Sequence, residues 1–223
     1  MMRRMNGQLN LDSLFAAAMD FADEQSRINH VELLGVTDGK AVGTYVEHAF
    51  ESYLQDLFPD IAIGNSARGI DLPDARIMCD LKVTSIRQPQ SSCPYKDARQ
   101  KIYGLGYNLL LFVYEKEDTR RECFLHFRNT TLIEDHRTAD YTLTRMIRQM
   151  VSVGANTDDL VGLFIDKALP GDEITLYALA EEVLEKTPEQ GYLTISNALQ
   201  WRLQYSRVIA LDNQIEGVAN YDR

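Results

Sequence analysis

Cysteine is scarce: the chain holds Cys79, Cys93 and Cys123 among 223 residues. An odd, widely spaced set of three excludes a disulfide framework and a four-cysteine zinc site. The four histidines, His30, His48, His126 and His136, show no metal-ligand spacing either. No window approaches eighteen consecutive apolar residues, so no membrane-spanning helix and no membrane partner are expected. Met1-Met2-Arg3-Arg4 carries two arginines with no apolar stretch behind them. A secretory signal is therefore not expected, and the expected compartment is a reducing cytoplasm. There is no Gly-x-Ser-x-Gly, no P-loop and no dinucleotide fingerprint; Gly104-Leu105-Gly106 precedes a strand, the wrong order for nucleotide binding. Positive charge is also in short supply. With 23 basic against 33 acidic side chains the formal charge is −10, which argues against indiscriminate coating of nucleic acid.

What is present is organised. Hydrophobic residues are 45 % of the chain, enough for a large core without staples. Charge divides into three: residues 1–75 carry −7, residues 76–148 carry +4 and residues 149–223 carry −7. A basic middle third leaves room for a local phosphate-binding face. Apolar spacing predicts helices over 11–28 and 42–57, the second stopped by Pro59. A short strand is expected at Ile61–Ile63. Gly69–Leu72 and Arg76–Thr84 read as two legs of a hairpin about Pro73-Asp74. A polar loop over 87–94 leads to a helix from about Lys96 to 105. Asn108–Tyr114 is an almost unbroken apolar run, as a buried central strand requires. A strand over 123–127 and a helix over 140–152 follow. In the tail, helices are expected at Asp158–Ala168, Leu176–Lys186 and Thr194–Tyr205, then short strands at Arg207–Leu211 and Ile215–Ala219. Three helices and a hairpin are the order of a winged helix. The expected organisation is a domain over 1–152 and a mostly helical, winged-helix-like module over 153–223.

The chemistry concentrates on the hairpin. Asp80 and Lys82 are two residues apart and share one face of a strand, while Cys79, Leu81 and Val83 face the other way, into a core. A carboxylate and an ammonium projecting from an apolar strand are costly without a purpose. Asp71, on the neighbouring leg, can bring a second carboxylate to the same place. Two carboxylates and a backbone carbonyl make a hard oxygen site suited to Mg²⁺, and the lysine can orient water or stabilise charge on a phosphate. These parts suit metal-assisted phosphodiester hydrolysis. Glu47, in mid-helix with Glu51 one turn on, can ligand the ion directly or through water. The first carboxylate stays open between Asp71 and Asp74. Asp71 is preferred because Gly69-Ile70-Asp71 lies on the strand, whereas Pro73-Asp74 reads as the hairpin tip. Taken singly, each residue also has a plain reading: a surface ion pair, a turn cap, a solvated helix face.

In this order, Glu47, Asp71, Asp80-Leu81-Lys82, a helix from about Lys96 and the strand Leu109–Tyr114 resemble the PD-(D/E)XK nuclease superfamily, particularly type II restriction endonucleases. The resemblance covers roughly residues 40–130. It implies an α/β fold of the α+β kind, with a mixed sheet flanked by helices, Mg²⁺ dependence, and cleavage of double-stranded DNA. The catalytic set is then Glu47, Asp71, Asp80 and Lys82, with Asp71, Asp80 and Glu47 toward the metal. Arg87, Gln88, Gln90, Ser91 and Ser92, just beyond the catalytic strand, are candidates for reading bases. Lys96, Arg99 and Lys101, with Gln100 beside them, are candidates on phosphates. Asn197, Gln200 and Arg202 would lie on the reading helix of a winged tail. A homodimer suits a symmetric site, and a restriction system implies a cognate DNA methyltransferase with no direct contact implied. Two other functions share these residues: a repair nickase or junction resolvase of the same fold, and a non-catalytic winged-helix regulator.

Overall fold

The computed structural model describes residues 8–64, 69–93, 97–196, 202–211 and 215–223. In chain order the elements are α1 (Leu11–Gln25), α2 (Gly39–Leu57), β1 (Cys79–Ser85), β2 (Gln90–Ser92), α3 (Arg99–Tyr103), β3 (Asn108–Asp118), β4 (Cys123–Ile133), α4 (Tyr141–Ser152), α5 (Thr157–Asp166), α6 (Glu173–Glu185), β5 (Thr194–Ser196), β6 (Arg202–Gln204), α7 (Ser206–Ile209) and β7 (Val218–Asp222). They fall into two compact units that interleave along the chain. One is Met1–Pro89, Asn108–Ile133 and Asp212–Arg223; the other is Gln90–Tyr107 and Glu134–Leu211. The sequence reading divides the chain once, between 152 and 153, a point that falls inside the second unit. The chain leaves the first unit after β1, returns with β3, and returns again with β7, and a division drawn from continuous sequence cannot register that.

The first unit is a mixed four-stranded sheet, ordered β1-β3-β4-β7, with α1 and α2 packed against it. β1 runs parallel to β3; β3 with β4 and β4 with β7 are antiparallel. α1 starts at a reciprocal cap. Asn10 Oδ1 accepts the Ser13 N–H at 2.8 Å, and Ser13 Oγ accepts the Asn10 N–H at 2.9 Å. α2 starts at Asp38, whose side chain accepts the Lys40 N–H at 3.0 Å, and ends before Pro59 as expected. Each helix buries one stripe, Leu14, Ala17, Ala18 and Phe21 on α1, and Val42, Val46, Phe50 and Leu54 on α2. Phe21, Phe50, Phe112 and Phe127 gather there with ring centroids 5.0–6.2 Å apart. Each such pair adds roughly 0.5–1.5 kcal/mol beyond its buried area. Leu109 to Val113 are fully buried, as the unbroken apolar run requires of a central strand.

The second unit has a small antiparallel sheet, ordered β2-β6-β5, with α3 to α6 packed about Ile102, Leu143, Ile147, Leu160, Phe164 and Val183. Asp140 ties it together. Its Oδ1 caps α4 through Leu143 N at 2.8 Å, and its Oδ2 accepts Ile195 N from β5 at 2.8 Å.

Several expectations change. Ile61–Ile63 is irregular, and the first hairpin leg is reduced to one antiparallel bridge, Leu72 to Cys79. Part of the polar loop becomes β2 by pairing with β6. The helix expected over Thr194–Tyr205 is strand at both its described ends, β5 and β6. There buried Ile195 and Leu203 alternate with more exposed neighbours, a period of two rather than 3.6. Arg207–Leu211, expected as strand, begins with the helical turn α7. The last strand is no partner in a hairpin: β7 pairs with β4 in the first unit's sheet. The described residues therefore do not follow the order of three helices and a hairpin. No helix among them is long and apolar enough to cross a membrane.

Candidate active site

The hairpin forms through its turn. Asp74 C=O accepts the N–H groups of Ile77 and Met78 at 3.0 and 2.7 Å. The Asp74 carboxylate takes Arg76 Nε at 2.8 Å and Nη2 at 2.6 Å, and also accepts the backbone N–H groups of Ala62 and Arg76. These donors hold its carboxyl far below the usual range, the Arg76 guanidinium contributing most. Asp74 is thus fully engaged in shaping the turn. Met78 follows in the left-handed region, φ 32°, a conformation that costs of order 1 kcal/mol for such a side chain. Asn108, at the head of β3, fastens it. Its Nδ2 donates to Ile77 O at 2.5 Å and its N–H to Met78 O at 2.9 Å. The sequence reading missed this clamp. The one available signal was a polar residue opening an otherwise apolar strand.

Beyond the turn, alternation along β1 does what the spacing predicts. Cys79 and Leu81 enter the core, while Asp80 and Lys82 take the other face. Lys82 Nζ lies 2.5 Å from Asp80 Oδ2. Asp71, on the opposing leg, accepts the Leu81 N–H at 2.9 Å through Oδ2, which sets it close enough to Asp80 to raise the Asp80 carboxyl. Asp80 is 4 % exposed. Burial pushes its carboxyl up to about 7; Lys82 pulls the other way, and Asp71 adds to the rise.

α2 lies against β1 with Gly43 facing Val83, where an added Cβ would come within 3.9 Å of the valine. One turn on, Glu47 is half-buried, and its carboxyl is raised by burial first, then by Asp71, with Lys82 opposing. Glu51 is raised by burial in the same way, with a smaller contribution from Asp71. So Asp71, Asp80 and Lys82 form one tight cluster, and Glu47 stands close enough to sense Asp71 and Lys82 electrostatically. Among the described residues no three His, Cys, Asp or Glu side chains gather closely enough to hold an ion by themselves. An ion here would draw on two carboxylates, with the remaining ligands from backbone, water or substrate.

The residues expected to meet a nucleic acid divide between the units. Arg87 and Gln88 are exposed in the turn after β1, where Gln88 C=O accepts the Thr84 hydroxyl at 3.1 Å. Gln90, Ser91 and Ser92 form β2 of the second unit, and Ser91 Oγ pairs with Tyr205 OH at 2.6 Å. Arg202 is exposed on β6, between Ser92 and Ser196 in register. Lys96, Asn197 and Gln200 lie outside the described residues. Arg99 directs its guanidinium at Glu182, 2.6–3.1 Å away, and lies over the Tyr103 ring, which joins α3 to α6. The expectation for Lys101 is corrected. Lys101 is 5 % exposed, and burial lowers its ammonium pKa, with Asp140 partly opposing. Its side chain is inside the unit, not on a phosphate-facing surface. Gln100 donates to Leu105 C=O at 3.1 Å and closes the end of α3.

The family described as "Type II restriction enzyme NspV" matches residues 8–220. The type II restriction enzyme NspV of Nostoc sp. (strain ATCC 29411 / PCC 7524) is 50 % identical over 212 residues, which is 94 % of this chain and 95 % of that protein. Among solved structures, tetrameric restriction endonuclease SfiI bound to cognate DNA aligns with 100 % of this chain and 89 % of its own, at 9 % identity and a TM-score of 0.46.

Proposed function

The chain belongs to the NspV family of type II restriction enzymes, and from that premise we propose that it hydrolyses phosphodiester bonds in both strands of DNA at one sequence, using Mg²⁺ and the cluster of Asp71, Asp80, Lys82 and Glu47. The observation that carries this reading is the pairing of Asp71 with Asp80 beside Lys82. Two carboxylates this close, one of them desolvated until its carboxyl titrates near 7, favour a cation of high charge over a bare ionised pair. Their oxygens are the hard donors Mg²⁺ takes. Asp71 and Asp80 would hold the ion, with the Leu81 carbonyl, which a strand directs to the same edge as the Leu81 N–H that Asp71 accepts. Glu47 would reach it through water. The bound ion supplies Lewis acidity on a phosphoryl oxygen and a more acidic water.

The rest is done by side chains of this chain. Lys82, held by Asp80, presents its ammonium where charge grows on the scissile phosphate. Asp71 is kept oriented by the Leu81 N–H. Glu47, its carboxyl raised by burial and by Asp71, would accept a proton from water. A two-fold homodimer would present one such cluster to each strand. A cytoplasmic location and a methyltransferase that protects the host's own DNA belong to the same reading.

Digestion of unmethylated phage and supercoiled plasmid DNA with Mg²⁺ tests it. The expected products are discrete bands and full-length linear plasmid, both abolished by EDTA. Nicked circles alone would turn the reading to a nickase, and intact DNA under all conditions would overturn it.

The two aspartates of the turn separate in the same assay. Asp74→Ala is expected to cost about 2 kcal/mol in urea unfolding, because a buried charge-assisted network loses its acceptor, while the folded fraction still cleaves. Asp71→Ala is expected to unfold near the wild-type midpoint and to leave no cleavage. The reverse pattern would make Asp74 the ligand.

A further inference from the structure

We infer that a cavity beside the candidate active site seats a phosphodiester of the DNA strand flanking the scissile bond, with Arg87 as its principal contact. The inference rests on the nuclease reading above and deepens it. The cavity has a volume of about 400 Å³. The start of α2 lines one side with Gly39 and Val42, the end of β1 another with Ser85 and Arg87, and β3 the floor with Tyr114 and Lys116. All of these residues belong to the first unit.

Charge decides what it takes. Lys116 Nζ lies 2.5 Å from Asp118, the acid in the lining, and Asp118 also accepts the Gly35 N–H at 3.2 Å. That pair is matched. Arg87 has no ion-pair partner among the described residues. Glu115, which senses its charge, is held by Arg128 at 2.6 Å. The lining therefore carries one unmatched positive charge, the planar guanidinium that suits a phosphate. Hydroxyls of Ser85 and Tyr114 stand in the same lining. Asp118, the carboxylate acceptor there, is already engaged, so a base edge that needs both donors and acceptors would find a poor match.

Position decides which phosphate. Gly39 and Glu47 share α2 eight residues apart, about 12 Å along the axis. Ser85 follows Lys82 by three residues, about 10 Å along β1. The ~3.4 Å of helix axis per phosphate is only the axial component of the longer step along a strand, so the cavity lies one to three phosphates from the cluster. This moves Arg87 from base reading to strand positioning.

The test uses a duplex bearing the mapped cut site, bound in EDTA, with single neutral methylphosphonates placed at successive positions around the cut. One position one to three phosphates away is expected to weaken wild-type binding about tenfold, the worth of one charge-assisted hydrogen-bonded contact. Arg87→Ala is expected to weaken binding of the unmodified duplex by about the same factor and to lose nothing more from that methylphosphonate. Its salt dependence should be shallower by about 0.9 in log–log slope, with sequence preference kept. Arg87→Lys should keep the slope. Effects that multiply at every position, or relaxed sequence preference at an unchanged slope, would overturn the inference. A wild type that neither binds nor cuts the DNA would overturn the nuclease reading, and this one with it.

Discussion

Lys82→Ala is expected to lower the rate of DNA cleavage by about a thousandfold or more, while the Kd for DNA stays within about tenfold of wild type. Lys82 is one of two charged side chains projecting from the apolar strand β1, and it is pinned 2.5 Å from Asp80. Its charge is most useful where negative charge develops, which is in the transition state, so the loss should fall on the rate and not on ground-state binding. Lys82→Arg should not rescue it, because a planar guanidinium cannot stand in for a compact ammonium at one fixed point. Asp80→Ala is expected to cost at least as much in rate but to act oppositely on binding. Removing a negative charge from the cluster should tighten DNA binding in EDTA by a few-fold. Glu47→Ala should cost less, about ten- to a hundredfold, since Glu47 acts at one remove. Single-turnover cleavage and equilibrium binding on the same duplex check all three. A Lys82→Ala enzyme that keeps more than about a tenth of its rate would place the chemistry elsewhere.

How much of this was legible in the sequence depended on how local the cause was. The alternation of Cys79, Leu81 and Val83 against Asp80 and Lys82 is a property of one strand, and a period of two exposes it. The stripe of Val42, Val46, Phe50 and Leu54 and the stop at Pro59 are equally local, and α2 forms where they indicate. The choice between Asp71 and Asp74, which the cleavage assay decides, gains a consideration the sequence did not contain. Asp74 is occupied by Arg76, an i to i+2 pair that only a tight turn brings together. What failed was non-local. β2 exists because β6 pairs with it, and the two are separated by more than a hundred residues. β7 joins its sheet through β4, some ninety residues upstream. Thr194–Ser196 and Arg202–Gln204 are three-residue strands, too short for their period to outweigh a helical reading. Lysines usually lie on the surface; the burial of Lys101 comes from the packing of α3 among α4 to α6, which no local pattern announces.

Asp80→Asn is expected to stabilise the metal-free protein, and by more as pH rises. The ordinary carboxyl of Asp80 titrates at 3.8, and in the folded protein burial moves it to about 7. A group raised on folding contributes most below its unfolded value and loses that contribution as pH rises through its folded value. The window is therefore about pH 4 to 7. At pH 4 the wild type folds with Asp80 largely protonated, and asparagine, close to it in shape, should change little. At pH 8 the wild type must ionise a buried carboxyl beside Asp71, and the difference between the two proteins should reach on the order of 4 kcal/mol, with the Lys82 attraction already included in the shift. Glu47 is raised in the same direction by its own burial, so the wild type should lose stability over this range faster than Asp80→Asn but not solely through Asp80. Urea unfolding in EDTA at intervals from pH 4 to 8 measures it, and parallel curves for the two proteins would show that Asp80 is not desolvated in solution. Mg²⁺ then separates a strained ion pair from a metal site. At pH 8 it should raise the wild-type melting temperature, because anything bound only to the folded state stabilises it, and should leave Asp80→Asn nearly unmoved. Stability given up in the empty protein and recovered with the ion is the signature expected of carboxylates held together for a cation. A structural salt bridge would show no such recovery.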